Sequence, residues 1–304
     1  MTKKISKIDD IVISCYPEDL YMTRVCVASI RYWYPNIPIW LLKDRQYGDF
    51  STREIENNWA VQVYPTRQKR LGWGFGKLDV VTEPTSRRIL LLDSDTAFVG
   101  RVIDELENFS EDFVVEDFDE PNIEGQFFSL QELGKLDPSF VFPGYGFNTG
   151  QIVFTSGRVT KADFAGLVNW ESRTVLDSRI FKMGEQGVLN YVVLREVQKG
   201  RLSIRRARYM AWPGEPSRAD HILLQDLTSE GRQRQIIHWA GLRWGRTVDE
   251  MPRSEILTHF EEYYYRKIRL GYWIRRWRRA LFLLHRDAVL PLKEAARKLV
   301  HWSK

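Results

Sequence analysis

Two carboxylates lie one residue apart at the end of an apolar run. The stretch RILLLDSDTAFV, residues 88–99, leads through Ile89 to Leu92 directly into Asp93 and Asp95. Two like charges at the end of a buried strand are unfavourable unless water solvates them or a cation lies between them. Carboxylate oxygens in such a pair are typical ligands of Mg²⁺ or Mn²⁺, ions that usually bind substrate phosphates. The pattern therefore indicates either a polar surface turn or a divalent-metal site.

The residues around this pair predict strands that alternate with helices. Four apolar runs predict strands over 10–16, 37–43, 59–65 and 88–93. This alternation favours an α/β fold with a mostly parallel central sheet flanked by helices. Open α/β sheets bind ligands beyond the carboxyl ends of their strands. Asp93, Ser94 and Asp95 lie at one such end, and Cys15 and Tyr16 lie at another.

The remainder of the chain adds further elements and one irregular segment. A strand is predicted over 150–157, a helix over 185–197 and a strand that ends at His238. From about residue 256 the chain is predicted to be helical, aromatic and basic. Residues 116–150 are rich in Gly, Pro and acidic residues, which predicts a long irregular segment of the kind that often carries function.

Five short motifs occur in an order that is found in one enzyme family. They are GKLDVVTEP, ILLLDSD, FNTGQIVF, GEQGVLN and IIHWAG, all within residues 8–246. Together they resemble the GT-A glycosyltransferases, and most closely the retaining family of glycogenin and the bacterial lipopolysaccharide galactosyl- and glucosyltransferases (glycosyltransferase family 8). The resemblance implies a GT-A catalytic domain over 1–255. It also implies a hexosyltransferase that moves a sugar from a nucleotide sugar, chiefly a UDP-sugar, to a lipid-linked or surface glycan.

The resemblance assigns roles to individual residues. Asp93, Asp95 and His238 would hold Mn²⁺, with Mg²⁺ as the alternative, because oxygen and imidazole donors together suit Mn²⁺ better. The residues predicted at the reaction centre are Asn148, Glu185, Gln186 and Asp117. The residues predicted to contact the nucleotide sugar are Cys15, Tyr16, Lys77, Asp93, Ser94, Asp95, Gly241 and Arg243.

The chain departs from the family pattern in two motifs. Glu185 and Gln186 stand in place of the usual Asp-Gln pair. The letters LRWGR follow the His-x-x-Gly motif, where the family usually has Lys-Pro-Trp. Arg243 or Arg246 would then replace the phosphate-binding lysine of the family.

The sequence leaves several alternatives open. An inverting transferase would need a carboxylate base near the acceptor hydroxyl, and Glu116, Asp117 or Asp119 could supply it. A retaining transferase could work without such a base. Gln186 could instead cap its own helix, and His238 could be a core histidine at the end of a strand.

Charge and cysteine usage predict a cytoplasmic protein with a basic tail. The 304 residues carry a formal net charge of +5, but residues 262–304 hold 12 Lys and Arg against 3 Asp and Glu. Two cysteines allow at most one disulfide and fit a reducing cytosol. The N-terminal residues lack the apolar core of a signal peptide, and no apolar run reaches the length of a membrane span.

The tail, residues 256–304, is predicted to form amphipathic basic helices. Its apolar residues at helical spacing are Trp273, Trp277, Leu281 and Leu284, with arginines around much of the remaining circumference. This pattern fits an anionic membrane surface and predicts peripheral attachment to the inner face of the cell membrane, where a lipid-linked acceptor would lie.

The tail also has alternative interpretations. It could pack on the domain and leave a basic face in solvent. The whole chain could also be a non-catalytic membrane- or nucleic-acid-binding protein on a degenerate GT-A scaffold. No nucleic-acid partner is expected, because the rest of the chain is slightly acidic.

Overall fold

The structure is a computed structural model that describes residues 6–45, 48–66, 74–117, 124–214, 216–229, 233–242 and 247–289. Its strands are β1 (Asp10–Cys15), β2 (Ile39–Lys43), β3 (Gln62–Val63), β4 (Arg88–Asp93), β5 (Thr96–Val99), β6 (Phe113–Glu116), β7 (Gln151–Thr155), β8 (Val168–Asn169), β9 (Thr174–Val175), β10 (Ile204–Ala207), β11 (Met210–Ala211) and β12 (Gln235–His238). Its α-helices are α1 (Leu20–Trp33), α2 (Arg53–Trp59), α3 (Gly76–Val81), α4 (Val102–Leu106), α5 (Glu124–Phe127), α6 (Leu130–Leu136), α7 (Glu185–Gln198), α8 (Ser254–Arg266) and α9 (Gly271–Leu284).

The central sheet has the strand order β10-β6-β7-β4-β1-β2-β3. Its neighbours run parallel except at β7, which is antiparallel to both β4 and β6. The prediction of a mostly parallel central sheet is therefore confirmed. The continuous apolar run of β4 follows from its central position, because Leu90 and Leu92 face one hydrophobic core while Ile89 and Leu91 face the other.

The chain leaves the central sheet at Asp93 and enters a three-stranded sheet at Thr96. In this smaller sheet β5 pairs antiparallel with β12, and Thr96 lies opposite His238. The strand β11 pairs with the other side of β12. The turn between Asp93 and Asp95 therefore joins two sheets, and the pairing of β5 with β12 brings His238 beside that turn.

The predicted irregular segment, 116–150, is partly helical. It contains α5 and α6, so the prediction is wrong for these residues, while residues 118–123 lie outside the described ranges. Ser129 caps α6 by accepting a hydrogen bond from the backbone N–H of Glu132. The Ser-x-x-Glu spacing of this cap is visible in the sequence as a signal for the start of a helix.

The predicted tail begins inside a helix that belongs to the core. The side chains of Ile256, Leu257 and Phe260 on α8 are fully buried in the same cluster as the apolar face of α1. Cutting the chain within α8 would therefore expose part of the core. The features predicted for a surface-binding tail begin at α9.

The helix α9 places three of its arginines beside carboxylates of the body and exposes a row of apolar side chains, whereas Arg276 is exposed and Ile274 packs on the core. The pairs that join it to the body are Arg275–Glu261, Arg278–Glu54 and Arg279–Asp249, and Arg286–Glu250 adds a pair just beyond its end. The outward side chains, here called the outer stripe, are Trp273, Trp277, Leu281 and Leu284, each 54–67% exposed. The helix thus packs on the body through Ile274 and Phe282, and the face that it leaves in solvent carries the outer stripe together with the exposed Arg276.

No helix in the described part of the chain combines the length and the hydrophobicity that crossing a membrane requires.

Candidate functional site

The turn that carries Asp93 and Asp95 is held by both sheets. The backbone N–H of Ser94 donates to the carbonyl of Ser14 on β1 (3.1 Å), and the backbone N–H of Trp239 donates to the carbonyl of Asp95 (2.9 Å). The Asp95 side chain is 0% exposed, whereas Asp93 is partly exposed. Burial of the Asp95 carboxylate argues against a solvated surface turn and is compatible with a cation between the two side chains.

His238 completes a set of three donors. Its Nε2 lies 3.3 Å from Asp95 Oδ1 and 3.9 Å from Asp93 Oδ2. One donor atom from each of the three residues can be chosen so that all lie within 4.8 Å of one another. Gly150 makes this approach possible, because a Cβ there would collide with the His238 ring and the Asp93 carboxylate.

These three residues fit a divalent metal ion. Two carboxylates and one imidazole form a mixed oxygen and nitrogen donor set, which suits Mn²⁺. His238 is fully buried, as a core histidine would be, but its ring faces two carboxylates rather than apolar side chains. That environment favours a ligand over the core histidine that the sequence left open.

Lys77 and Glu185 extend the charged cluster. Lys77 Nζ lies 2.7 Å from Asp93 Oδ1 and 3.7 Å from Glu185 Oε1, and all but a few per cent of the lysine is buried. Gly74, just before α3, has a left-handed φ of 73°, and a Cβ there would overlap the Glu185 carboxyl group. The Gly-rich entry to α3 is therefore required for Glu185 to lie beside Lys77.

Burial and charge shift the pKa values of this lysine and glutamate. Burial raises the pKa of Glu185 to about 7, although Lys77 opposes the shift. Burial tends to lower the pKa of Lys77, but Asp93 and then Glu185 outweigh it, so the pKa of Lys77 lies above its ordinary value. The lysine therefore stays cationic at neutral pH. Two aspartates, and a glutamate that is only partly ionised near pH 7, leave an excess of negative charge beside one lysine that a divalent cation would balance.

Gln186 does not cap its own helix. The residue at the N-cap of α7 is Gly184. The side-chain oxygen of Gln186 accepts hydrogen bonds from the backbone N–H (3.0 Å) and the hydroxyl (3.2 Å) of Thr149. Its amide nitrogen lies 3.4 Å from Met183 Sδ. The Thr149 contacts thus fix which end of the amide faces the cleft.

Most of the predicted site residues line one cleft. Those that do so are Tyr16, Lys77, Asp93, Ser94, Asp95, Asn148, Glu185, Gln186, His238 and Gly241. Lining residues that the sequence analysis missed include Asp19, Asp44 and Thr149. Asp44 directly follows β2, so the rule that ligands bind beyond the carboxyl ends of strands could have found it. Predicted residues outside the described ranges are Arg243, Arg246 and Asp119.

Cys15 is a core residue and does not line the cleft. It shares a face of β1 with Ile11 and Ile13, since side chains alternate along a strand, and it lies in the same apolar cluster. Burial raises the pKa of its thiol above the ordinary value. The neighbours Ser14 and Tyr16 face the cleft instead.

Asp117 also lies outside the cleft. Its carboxylate contacts Arg206 and lies 3.9 Å from Arg208 Nε, and its backbone N–H donates to the carbonyl of Ala207. Glu116, the preceding residue, accepts hydrogen bonds from the backbone N–H groups of Tyr209 (2.9 Å) and Met210 (2.8 Å). Both acids therefore hold the strands together at this edge of the sheet.

Glu116 should make stability depend on pH. Burial raises its pKa to about 7 from the ordinary 4.5, although Tyr209 and Met210 oppose the shift. Its contribution to folding is then fully present below pH 4.5 and is lost as the pH rises through about 7. Glu116→Gln keeps an acceptor oxygen and should remove on the order of 3 kcal/mol of this pH dependence. Urea unfolding of both proteins at about pH 5 and pH 8 measures the free energy of unfolding at each pH. An equal change in this free energy between the two pH values in both proteins would contradict the assignment.

The chain was compared with families, curated proteins and solved structures. No model of a known protein family matches it, and no curated protein matches its sequence. The bifunctional glycosyltransferase WbbM in its apo form matches with a TM-score of 0.53 and 15% identity, over 87% of this chain and 50% of WbbM. Galactosyltransferase LgtC in complex with donor and acceptor sugar analogs matches with a TM-score of 0.50 and 18% identity, over 83% of this chain and 94% of LgtC. The glycosyltransferase GlyE of Streptococcus pneumoniae TIGR4 matches with a TM-score of 0.51 and 14% identity, over 84% of this chain and 60% of GlyE.

The chain shares the fold of these glycosyltransferases. The predicted GT-A fold is thereby confirmed. The chain spans half the length of WbbM and 60% of GlyE, but nearly all of LgtC. On this GT-A fold the cleft lies beyond the carboxyl ends of β1, β2 and β4, where Tyr16, Asp44 and Asp93 line it.

Proposed function

We propose that the chain is a metal-dependent glycosyltransferase that moves a sugar from a nucleotide sugar, chiefly a UDP-sugar, to a lipid-linked or surface glycan. The observation that carries the proposal is the set of Asp93, Asp95 and His238 in a cleft beside a buried lysine, Lys77. The shared fold supports it, because WbbM, LgtC and GlyE are glycosyltransferases and LgtC was solved with donor and acceptor sugar analogs.

Each residue of the cleft would have a distinct task. Asp93, Asp95 and His238 would hold Mn²⁺, which when bound supplies a Lewis acid for the departing nucleoside diphosphate. Lys77 stays protonated between Asp93 and Glu185 and would add positive charge close to the same phosphates. Gln186, oriented by Thr149, would present its amide N–H to the sugar.

Retention at the anomeric carbon is the stereochemical course that we propose. An inverting enzyme needs a carboxylate base near the acceptor hydroxyl. Of the bases that the sequence offered, Glu116 and Asp117 are engaged by backbone N–H groups and by arginine, respectively, away from the cleft. The cleft does contain the carboxylates of Asp19, Asp44 and Glu185, so the proposal of retention rests on the resemblance to a retaining family and is tested by the configuration of the product. A degenerate, non-catalytic scaffold is not favoured, because it would have no need for a buried lysine between two carboxylates.

A panel of nucleotide sugars tests the proposal. Each donor would be incubated with Mn²⁺, with Mg²⁺ or with a chelator, and release of the nucleoside diphosphate would be measured with and without glycan acceptors. NMR of the product would give the configuration of the new bond. UDP binding, measured by tryptophan fluorescence, should require Mn²⁺. UDP binding of equal strength with and without Mn²⁺ would overturn the proposal.

Thr149 should act as a positioning residue for Gln186. Thr149→Ala removes one of the two hydrogen bonds to the amide oxygen and should lower kcat about threefold to tenfold, with the donor KM little changed. Thr149→Ser keeps the hydroxyl and should restore the rate. Steady-state kinetics of the three proteins distinguishes the roles, since equal losses in both variants would show that only the methyl group matters.

The partner of the outer stripe is, in our proposal, the surface of an anionic membrane. Two tryptophans and two leucines on one face of α9 are exposed, the exposed Arg276 lies on the same helix, and Arg275, Arg278 and Arg279 each pair with a carboxylate of the body. An amphipathic helix that lies flat inserts such an apolar face into the headgroup region. This would place the chain at the inner face of the cell membrane, within reach of a lipid-linked acceptor.

Removing the tryptophans should weaken membrane binding. The double variant Trp273→Ser with Trp277→Ser should bind anionic vesicles at least about tenfold more weakly, because each buried aromatic side chain contributes on the order of 2 kcal/mol. Co-sedimentation at low and high salt measures the loss. The matched control is Leu223→Ser with Leu224→Ser, two exposed apolar side chains outside α9 that should not change binding. Equal loss in both double variants would contradict the assignment.

A further inference from the structure

A second cavity lies between α1, α8 and α9, here called the arginine pocket. Four arginines line it: Arg24 from α1 and Arg275, Arg278 and Arg279 from α9. Glu261 is the only carboxylate among the described residues that line it. Among the described residues, the pocket and the cleft have no lining residue in common. An excess of guanidinium groups around a cavity indicates an anionic ligand.

The guanidinium groups are held in place by the protein. Arg24 is 5% exposed, and its Nε donates to Glu54 Oε1 at 2.9 Å. Glu54 lies outside the lining of the pocket and also contacts Arg278 and the hydroxyl of Tyr264. Arg275 Nε donates a hydrogen bond to Glu261 Oε2 at 2.9 Å. Asp249 contacts Arg279, and Glu262 lies 3.6 Å from Arg275 Nη1, so every arginine of the pocket has a carboxylate partner. Each guanidinium has five N–H donors, so these contacts still leave donors for a ligand.

Charge repulsion and shape support the same interpretation. Burial and then the neighbouring charge of Arg24 lower the pKa of Arg278 to about 10. A bound anion would stabilise the charged form of this arginine. The rings of Tyr21 and Phe282 pack at a centroid distance of 5.9 Å in the wall of the pocket. Thr247 adds a hydroxyl to the lining. The pocket thus combines phosphate-binding cations with an apolar wall for the rest of a ligand.

We propose that the arginine pocket binds a phosphate group, carried either by a lipid headgroup or by a soluble molecule. Arginine forks match the oxygens of phosphate with two parallel hydrogen bonds. The three α9 arginines that line the pocket lie on the opposite face of the helix from the outer stripe, so a ligand here would also fix α9 to the body. This inference uses no step of the proposed sugar transfer and stands apart from it.

The test uses the full chain and two single-charge variants, Arg275→Gln and Arg278→Gln. The matched control is Arg276→Gln, which makes the same change on the same helix at a residue that does not line the pocket. One arm titrates inorganic phosphate by calorimetry at constant ionic strength. The other measures binding to vesicles of equal parts phosphatidylglycerol and phosphatidylcholine, with phosphatidylcholine alone for comparison. Thermal melting in chloride shows that each variant is folded.

Both pocket variants should bind about tenfold more weakly than Arg276→Gln, the loss expected for one charge-assisted contact. A loss in both arms, or in the phosphate arm alone, supports a phosphate site, and the phosphate arm alone assigns it to soluble ligands. A loss in the vesicle arm alone assigns the site to a headgroup. Equal behaviour of all three variants in both arms would overturn the proposal. Mn²⁺-dependent UDP binding should be unchanged in every variant, so a failed transferase proposal would be seen separately.

Discussion

Asp95→Asn should lower Mn²⁺-dependent UDP binding by more than about 100-fold. Changing a residue that only hydrogen-bonds to a metal ligand already lowers metal affinity about 10–100-fold, and Asp95 would be a ligand itself. The asparagine keeps the shape of a side chain that is fully buried, so the fold should survive. The variant also removes one of two like charges, which should leave the free energy of unfolding unchanged or slightly higher without metal. Calorimetric titration of Mn²⁺ and then UDP, followed by the transfer assay, measures the effect.

The matched control for this variant is Glu116→Gln, an isosteric change at a buried carboxylate outside the cleft. It should bind Mn²⁺ and UDP as the unmodified protein does. If Asp95→Asn binds the metal normally, Asp93 and His238 do not form a metal site with it, and the proposed chemistry fails.

Lys77→Met should lower the free energy of unfolding by about 3–5 kcal/mol, since it removes the cation from a buried ion pair and leaves the carboxylates. Asp93 and Glu185 would then lose the cation that lies between them, while Asp95 remains beside His238. Mn²⁺ should recover part of this loss, so the metal should raise the melting temperature of the variant more than that of the unmodified protein. Urea unfolding and thermal melting with and without Mn²⁺ measure both effects.

Lys43→Met provides the comparison. Lys43 is almost as buried as Lys77, but its partner Asp49 is 69% exposed and can be solvated once the lysine is gone. This variant should lose much less stability and should gain nothing extra from Mn²⁺. An equal loss in both variants would mean that the ion pairs of Lys77 stabilise the fold no more than the solvent-exposed pair of Lys43, and would contradict the assignment.

Local patterns predicted β1, β2, β3, β4 and β7 of the central sheet but not β6 or β10, and the resemblance supplied most of the cleft residues. The apolar run through Leu90 and Leu92 predicts the buried strand β4, and Asp93 directly after it marks the carboxyl end of that strand. One stretch of sequence therefore predicts both the strand and the position of the carboxylate pair. Cys15 shows the limit of that rule, because a strand end has two faces and only one of them opens on the cleft. Short strands such as β5 have too few residues for a periodic signal, although β5 is what brings His238 to the turn.

The orientation of α9 could not be predicted from its own residues. Helical spacing gives the two faces, but it does not say which face packs on the body. That choice depends on carboxylates far away in sequence, above all Glu54, which contacts both Arg24 and Arg278. The packing of α8 is different, since Phe260 and Leu257 could be recognised as an apolar face of ordinary core type.

The position of Asp93, Asp95 and His238 at the junction of the two sheets would couple binding of an ion to assembly of the fold. Asp93 ends a strand of the central sheet, whereas His238 ends a strand of the smaller one. An ion bound to both therefore acts as a cross-link between sheets, and its binding free energy adds to the free energy of docking them. Amide hydrogens of β11 and β12 should then exchange more slowly once the ion is present. Hydrogen exchange in the smaller sheet would therefore report whether the site is occupied.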